Sequence, residues 1–200
     1  METKVRLRQA IKERLSKMTE NDRRVESQII VRELRKLLPS SPTIIAAFSP
    51  YMDEPDIRPL LTELLEKKNV ICIGKVEGNN MTMHQIRSLD DVTRNPVSNI
   101  LEPSADNPID ESTIAIVIVP GRAFTREGLR MGRGNGGYDR WIDKQMTRNP
   151  TTKTIGICFD CQLQSELPLE SHDRSVGIVL TAKGLWKKGD KTVVRRGIHP

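Results

Sequence analysis

Aromatic residues are scarce in this chain: two Trp, two Tyr and three Phe, 4% of its 200 residues. That argues against an aromatic-lined platform of the kind on which single-stranded nucleic acid stacks. Cysteine is equally sparse. Cys72, Cys158 and Cys161 are too few, and odd in number, for a disulfide framework, so free thiols are expected. No apolar run approaches the roughly 20 residues needed to span a bilayer. The opening METKVRLRQA lacks the apolar centre of a secretory signal. The expectation is a reducing compartment, cytoplasmic with a mitochondrial alternative, and no membrane partner. Soft-metal chemistry is also poorly encoded. Cys158 and Cys161 have Cys-x-x-Cys spacing without a second pair, and His84 and His172 have no metal-ligand spacing.

What is present is an ordinary globular balance of 36% apolar and 29% charged residues, with a formal charge of +6 that favours an anionic partner. Two hundred residues suit one domain. Val5, Ala10, Ile11, Leu15 and Met18 recur at helical spacing, and Thr19 followed by Asp22 has the pattern of a capping box that opens a second helix, ended near Leu38 by Pro39. Thr43–Phe48 reads as a strand, Ser49–Asp56 as a turn-prone loop, Ile57–Leu65 as a helix, Asn69–Ile73 as a strand and Met81–Ile86 as a weaker one. Asp91–Glu111, rich in Pro, Asn, Ser and Asp, predicts a long surface loop. Ile114–Val119 is a continuous β-branched run, which predicts a strand buried on both faces. Tyr138–Met146 predicts a helix, Thr154–Phe159 a strand and Val176–Thr181 the last strand. A single α/β unit over 1–182 is expected, with a basic tail, 183–200, that is either a hairpin or a frayed end.

The chemistry concentrates in Pro120–Trp141, which leaves the buried strand, passes Gly132, Gly134, Gly136 and Gly137, and enters a helix. Such a loop suits phosphate, because glycine lets the backbone approach a ligand and the amides of the following helix start point at an anion. Arg130 and Arg133 add charge-assisted donors. There is no Gly-Lys-Ser or Gly-Lys-Thr, so this is no P-loop, and the long insert after the strand departs from a dinucleotide fingerprint.

Pro120, Gly121, Phe124, Gly128, Arg130, Gly132, Gly134, Gly136, Tyr138 and Asp139 fall where the 5-formyltetrahydrofolate cyclo-ligase family carries its signature, and the chain resembles that family. Lys4, Arg8 and Glu54, and Gln162, Pro168, His172 and Asp173 near the C-terminal end, match as well. The sequence departs from the pattern at Gly137 and Ser98, which replace aromatic residues, and at Asn135 and Gly177.

The resemblance implies a three-layer α/β sandwich with a mixed, mostly parallel sheet, similar to the ribose-phosphate isomerase and CoA transferase folds. It implies ATP-dependent cyclisation of 5-formyltetrahydrofolate to 5,10-methenyltetrahydrofolate by way of a phosphorylated formyl oxygen. By the same resemblance, Lys4, Arg8, Arg130, Gly132, Gly134, Asn135, Gly136, Gly137 and Tyr138 bind ATP, and Ser49, Glu54 and Gly137 bind the folate. From its position inside the loop, Arg133 is expected to stabilise charge on the transferring phosphoryl group, and Asp139 and Asp173 are expected to hold Mg²⁺, a hard ion suited to carboxylate oxygens. The implied partners are reduced folate and ATP, with no nucleic acid, and a monomer is expected. Two other readings stay open at this point. Gly137 would suit a divergent ATP-binding paralogue with another substrate or none, and the charge of +6 would suit a basic RNA-binding or regulatory module.

Overall fold

The computed structural model describes residues 3–78, 80–96, 100–134, 136–168, 174–189 and 194–195. The chain opens with two helices, α1 (Lys4–Ser16) and α2 (Glu20–Leu37). It then runs β1 (Ile44–Ala47), α3 (Arg58–Glu66), β2 (Val70–Glu77), β3 (Asn80–Ile86), β4 (Val92–Arg94) and β5 (Leu101–Pro103). β6 (Ile116–Pro120), β7 (Ala123–Thr125), β8 (Arg130–Met131) and α4 (Gly137–Arg148) follow. The remaining strands are β9 (Lys153–Ile157), β10 (Leu163–Gln164), β11 (Ile178–Leu180), β12 (Gly184–Lys187) and β13 (Val194–Arg195).

Eight strands form one sheet in the order β13-β12-β11-β9-β6-β1-β2-β3. The five central ones, β11, β9, β6, β1 and β2, are parallel, and the flanking pairs are antiparallel. Strand alternation sorts the apolar side chains onto two faces. Ile45, Ala47, Ile116 and Ile118 meet α2 and α3 through Ile30, Leu34, Leu60 and Leu61. Ala46, Val117 and Val119 point the other way and meet Trp141 and Ile142 of α4. Every residue of β6 is buried, as the unbroken β-branched run predicts. Each such aliphatic side chain contributes about 1.5–3 kcal/mol when fully withdrawn from water. The architecture is therefore helices on both faces of a large, mostly parallel sheet, in line with the expected fold class.

Several local expectations hold in atomic detail. Thr19 and Asp22 form the capping box, each side chain bonded to the other's backbone amide. Others need correction. In α1 the buried stripe is Leu7, Ile11 and Leu15, while Val5 is 72% exposed, because the helix turns that residue away from the body. The region 91–111 is not one loop. It contains the β4–β5 ribbon, whose buried Glu102 accepts from the Val76 amide at 3.2 Å and from Asn95 Nδ2 at 2.8 Å. Strands three residues long carry no measurable periodicity, so they are invisible in the sequence. β11 is not the last strand either, since β12 and β13 extend the same sheet as an antiparallel pair.

Candidate active site

Strand order reverses between β1 and β6: the chain moves from β1 outward to β2 on one side, and from β6 outward to β9 on the other. Crevices outside the carboxyl ends of strands at such a switch point are where open α/β sheets bind ligands. Two loops leave the sheet there. One, after β1, carries Ser49, Tyr51, Asp53 and Glu54. The other, after β6, is the glycine-rich stretch, folded back on itself by the β7–β8 hairpin. Between them lies a pocket walled by Phe48, Ile73, Met81, Leu101 and Tyr138, with Glu54, Arg130 and Arg133 as its charged members and Ser49 and Gly137 on its lining.

The glycine loop is tied down from three directions. Gly134 has φ +126° and Gly136 φ +65°, conformations that L side chains rarely adopt, and Gly136 is the N-cap of α4 without supplying a capping side chain. α4 therefore starts directly from this loop without a capping side chain, and the unsatisfied amides of a helix start suit an anion. Arg8, on α1, donates from Nε to the Gly132 carbonyl at 3.0 Å across 124 residues of sequence, and Lys4 lies one turn before it on the same helix. Arg130 is 4% exposed. Its Nε donates to the Pro120 carbonyl at 2.9 Å, its Nη1 to Asp139 Oδ1 at 2.5 Å, and its guanidinium lies 5.5 Å from the centre of the Tyr138 ring. Burial pushes the Tyr138 phenol well above its ordinary value.

Across the mouth of the pocket, Glu54 is 8% exposed; its Oε2 accepts from the Tyr51 amide at 3.0 Å, and its Oε1 accepts Arg133 Nε at 3.2 Å and Nη2 at 2.9 Å. Arg133 also touches Asp53 and stands 4.5 Å from the centre of the Tyr51 ring. Asp53 in turn takes Arg122 Nη1 at 2.7 Å. Burial works to raise the Asp53 carboxyl, but Arg133 and Arg122 outweigh it and hold the group below its usual range. Burial likewise opposes the charge on Arg133, and the carboxylates of Glu54 and Asp53 more than offset that.

Of the residues named from the sequence, Ser49, Glu54, Arg130, Arg133, Gly137 and Tyr138 line one pocket; Arg8 joins it through the Gly132 carbonyl, Asp139 through Arg130, and Lys4 is placed only by its position on α1. Asn135, Ser98, His172 and Asp173 lie outside the described residues. Sequence reasoning missed Asp53, Tyr51 and Arg122. The signal was there in the adjacent acids Asp53 and Glu54, opposite arginines in the glycine-rich stretch. Asp139 presents a carboxylate, a hard oxygen donor, at the start of α4 next to the phosphate-suited loop, with Oδ1 engaged by Arg130. Among the described residues no group of three His, Cys, Asp or Glu could hold a metal unaided. That donor set fits Mg²⁺ carried in by nucleotide phosphates, which commonly takes only one or two protein carboxylates.

The other chemistry weighed from the sequence finds little support. Cys72, Cys158 and Cys161 are free. Burial pushes the Cys72 thiol up to about 12 and that of Cys161 to about 11. An open groove beside the pocket carries Arg23, Arg24, Arg35, Arg58 and Arg94, but Arg35 is paired with Glu63 and Arg58 with Asp56. No helix among the described residues is long and apolar enough to cross a membrane.

Comparison with known proteins points the same way. Residues 1–182 match the model of the 5-formyltetrahydrofolate cyclo-ligase family. The mouse 5-formyltetrahydrofolate cyclo-ligase is 23% identical over 185 residues, covering 87% of this chain and 91% of its own. The enzyme of that name from Escherichia coli K12 is 27% identical over 148 residues, 72% of this chain and 80% of its own. Among solved structures, the Aquifex aeolicus 5,10-methenyltetrahydrofolate synthetase superposes with a TM-score of 0.77 at 26% identity, over 98% of each chain. The Mycoplasma pneumoniae synthetase, 18% identical with a TM-score of 0.73, shares the fold.

Proposed function

The chain belongs to the 5-formyltetrahydrofolate cyclo-ligase family, and on that premise we propose that it converts 5-formyltetrahydrofolate and ATP to 5,10-methenyltetrahydrofolate, ADP and phosphate. The observation that carries this reading is the juxtaposition at the β1/β6 switch point. An apolar pocket with a carboxylate at its mouth opens directly onto a glycine loop that leads into a helix N-terminus.

A formamide is a poor electrophile with a poor leaving group. Transfer of the γ-phosphoryl group to the formyl oxygen breaks the bond to ADP and turns that oxygen into a phosphate ester. The neighbouring nitrogen then adds to the formyl carbon, its proton is lost, and the C–O bond breaks as inorganic phosphate departs. Such chemistry asks the protein for positioning and charge neutralisation more than for covalent help.

The residues named from the sequence divide these roles among them. Glu54 accepts the paired donors of the pterin edge, with Ser49 and Gly137 beside it, while Phe48, Met81 and Leu101 exclude water from the ring. Lys4 and Arg8 grip the nucleotide phosphates over the backbone of Gly132, Gly134, Asn135, Gly136 and Gly137. Arg130 and Tyr138 fix the base of that loop. Arg133 meets the charge that develops on the transferring group. Asp139 and Asp173 would hold Mg²⁺, which when bound neutralises phosphate charge and orients the γ-phosphoryl group. The three free thiols suit a reducing compartment, cytoplasmic or mitochondrial, and we take the working unit to be a monomer.

The test is to mix the purified protein with 5-formyltetrahydrofolate, ATP and Mg²⁺ and to follow the near-ultraviolet band of the methenyl product. Growth that stops when any one component is omitted is the expected result. Silence in a protein that demonstrably binds ATP would overturn the assignment in favour of a paralogue with another substrate, a reading that Gly137 on the pocket lining would then explain.

A further inference from the structure

Four charged side chains form a chain across the pocket mouth, and the mechanism above uses only two of them. Arg122, 11% exposed, holds Asp53; Asp53 touches Arg133; Arg133 holds Glu54. The outer end is anchored in the scaffold. Gln162 Nε2 donates to the carbonyls of Gly121 and Arg122 at 3.0 and 3.1 Å, so the backbone that bears Arg122 is fixed. The inner end conflicts with the reaction. Glu54 Oε1 receives both Nε and Nη2 of Arg133, and Oε2 receives the Tyr51 amide. A carboxylate so occupied cannot also take the paired donors of a pterin, so folate must displace Arg133 from Glu54. Asp53 does not line the apolar pocket and keeps its own contact with Arg133 Nη2.

We propose that Asp53 is a positioning residue: pinned by Arg122, it retains Arg133 when folate takes Glu54, and so turns the released Nε edge of the guanidinium toward the transferring phosphoryl group. The inference rests on Glu54 being the pterin acceptor. The ring of Tyr51, 4.5 Å from the guanidinium carbon, offers a face along which that small rotation proceeds. Because Arg133 and Arg122 hold the Asp53 carboxyl below its usual range, it is ionised throughout the neutral range and ready as the anchor. One consequence concerns both substrates. Folate binding makes a cation available to the nucleotide, so each substrate strengthens the binding of the other, and the effect is reciprocal.

The experiment measures the affinity for the non-hydrolysable adenylyl imidodiphosphate with Mg²⁺, by calorimetry, with and without 5-formyltetrahydrofolate. The unmodified protein should bind the analogue about tenfold more tightly in the presence of folate. Glu54→Ala, which removes the oxygen that holds Arg133, should bind the analogue without folate about as tightly as the unmodified protein does with it. Asp53→Asn should lose most of the enhancement and about tenfold or more in kcat. Asp53→Glu, with the carboxylate restored, should recover part of both. A merely structural Asp53 would lower the melting temperature and leave the enhancement intact. The proposal is overturned if the unmodified protein turns over folate but shows no enhancement, or if Asp53→Asn keeps it. Absence of folate turnover in the unmodified protein would instead sink the reading of the reaction itself. Should Asp53→Asn fail to fold, Arg122→Gln, which removes the pin on Asp53, takes its place, and an undiminished enhancement in that variant overturns the proposal.

Discussion

Replacing Asp139 by asparagine leaves the Arg130 guanidinium buried with its charge uncompensated. The two side chains are 4% and 7% exposed and meet at 2.5 Å, with Arg130 also fixed on the Pro120 carbonyl. Removing one partner of such a pair costs about 3–5 kcal/mol, because the remaining charge can neither leave nor be solvated. Asparagine keeps an oxygen acceptor, so the lower end, about 3 kcal/mol, is the expectation. For a domain of this size about 1 kcal/mol shifts Tm by 2–4 °C, which places the variant about 6–12 °C below the unmodified chain. The assay is thermal unfolding by circular dichroism in the absence of ATP and Mg²⁺, so that ligand binding does not enter. A paired Arg130→Met, Asp139→Leu variant, apolar and of similar volume, should recover most of the loss in Tm while remaining inactive. If Asp139→Asn melts together with the unmodified protein, the pair contributes nothing to the fold. Asp139 would then act through bound ligands alone.

Three further outcomes are expected. Glu54→Ala should raise the KM for 5-formyltetrahydrofolate at least about tenfold, one charged hydrogen-bonded contact, and, because it frees Arg133, tighten rather than weaken nucleotide binding in titrations without folate. Gly156→Ala should lower stability by about 1–3 kcal/mol in urea unfolding, since its Cβ would stand 2.4 Å from the Phe124 ring, itself fully buried. The thiols of the folded chain should react with Ellman's reagent at pH 8 far more slowly than those of the urea-unfolded chain. Burial pushes Cys161 up to about 11 and Cys72 to about 12 against an ordinary value of 9.0. By linkage the unfolded chain ionises first, so these thiols favour the folded state below pH 9 and that contribution fades as pH rises from 9 toward 11.

What the sequence made legible follows from how far each signal reaches. Thr19 and Asp22 interact over three residues, and β6 declares its burial through an uninterrupted run, so both stand out locally. The glycine stretch stood out in the sequence because positive φ at Gly134 and Gly136 demands a particular residue type. The partners of its arginines were not. Arg130 looked like a ligand contact, and the structure commits its guanidinium to Asp139 and to the Pro120 carbonyl, a buried arrangement that no spacing rule reveals. Asp53 and Arg122 are 69 residues apart, and only the closure of the β1/β6 crevice makes them neighbours. The β4–β5 ribbon was lost for a different reason: a buried Glu102 in a Pro-rich stretch reads as surface until the Val76 amide that it accepts from is known.

The bond from Arg8 to the Gly132 carbonyl sets an order in which the protein can be completed during synthesis. The apolar face of α1, Leu7, Ile11 and Leu15, packs on Ala123, Met131, Phe159 and Leu167. At about 5–20 residues per second, the 124 residues between Arg8 and Gly132 take on the order of 6–25 s to emerge. Throughout that interval α1 has a basic side and an apolar side whose partners in the folded chain have not yet been made. The corner at which Arg8 meets the glycine loop therefore closes late, although one of its two partners is made more than a hundred residues earlier.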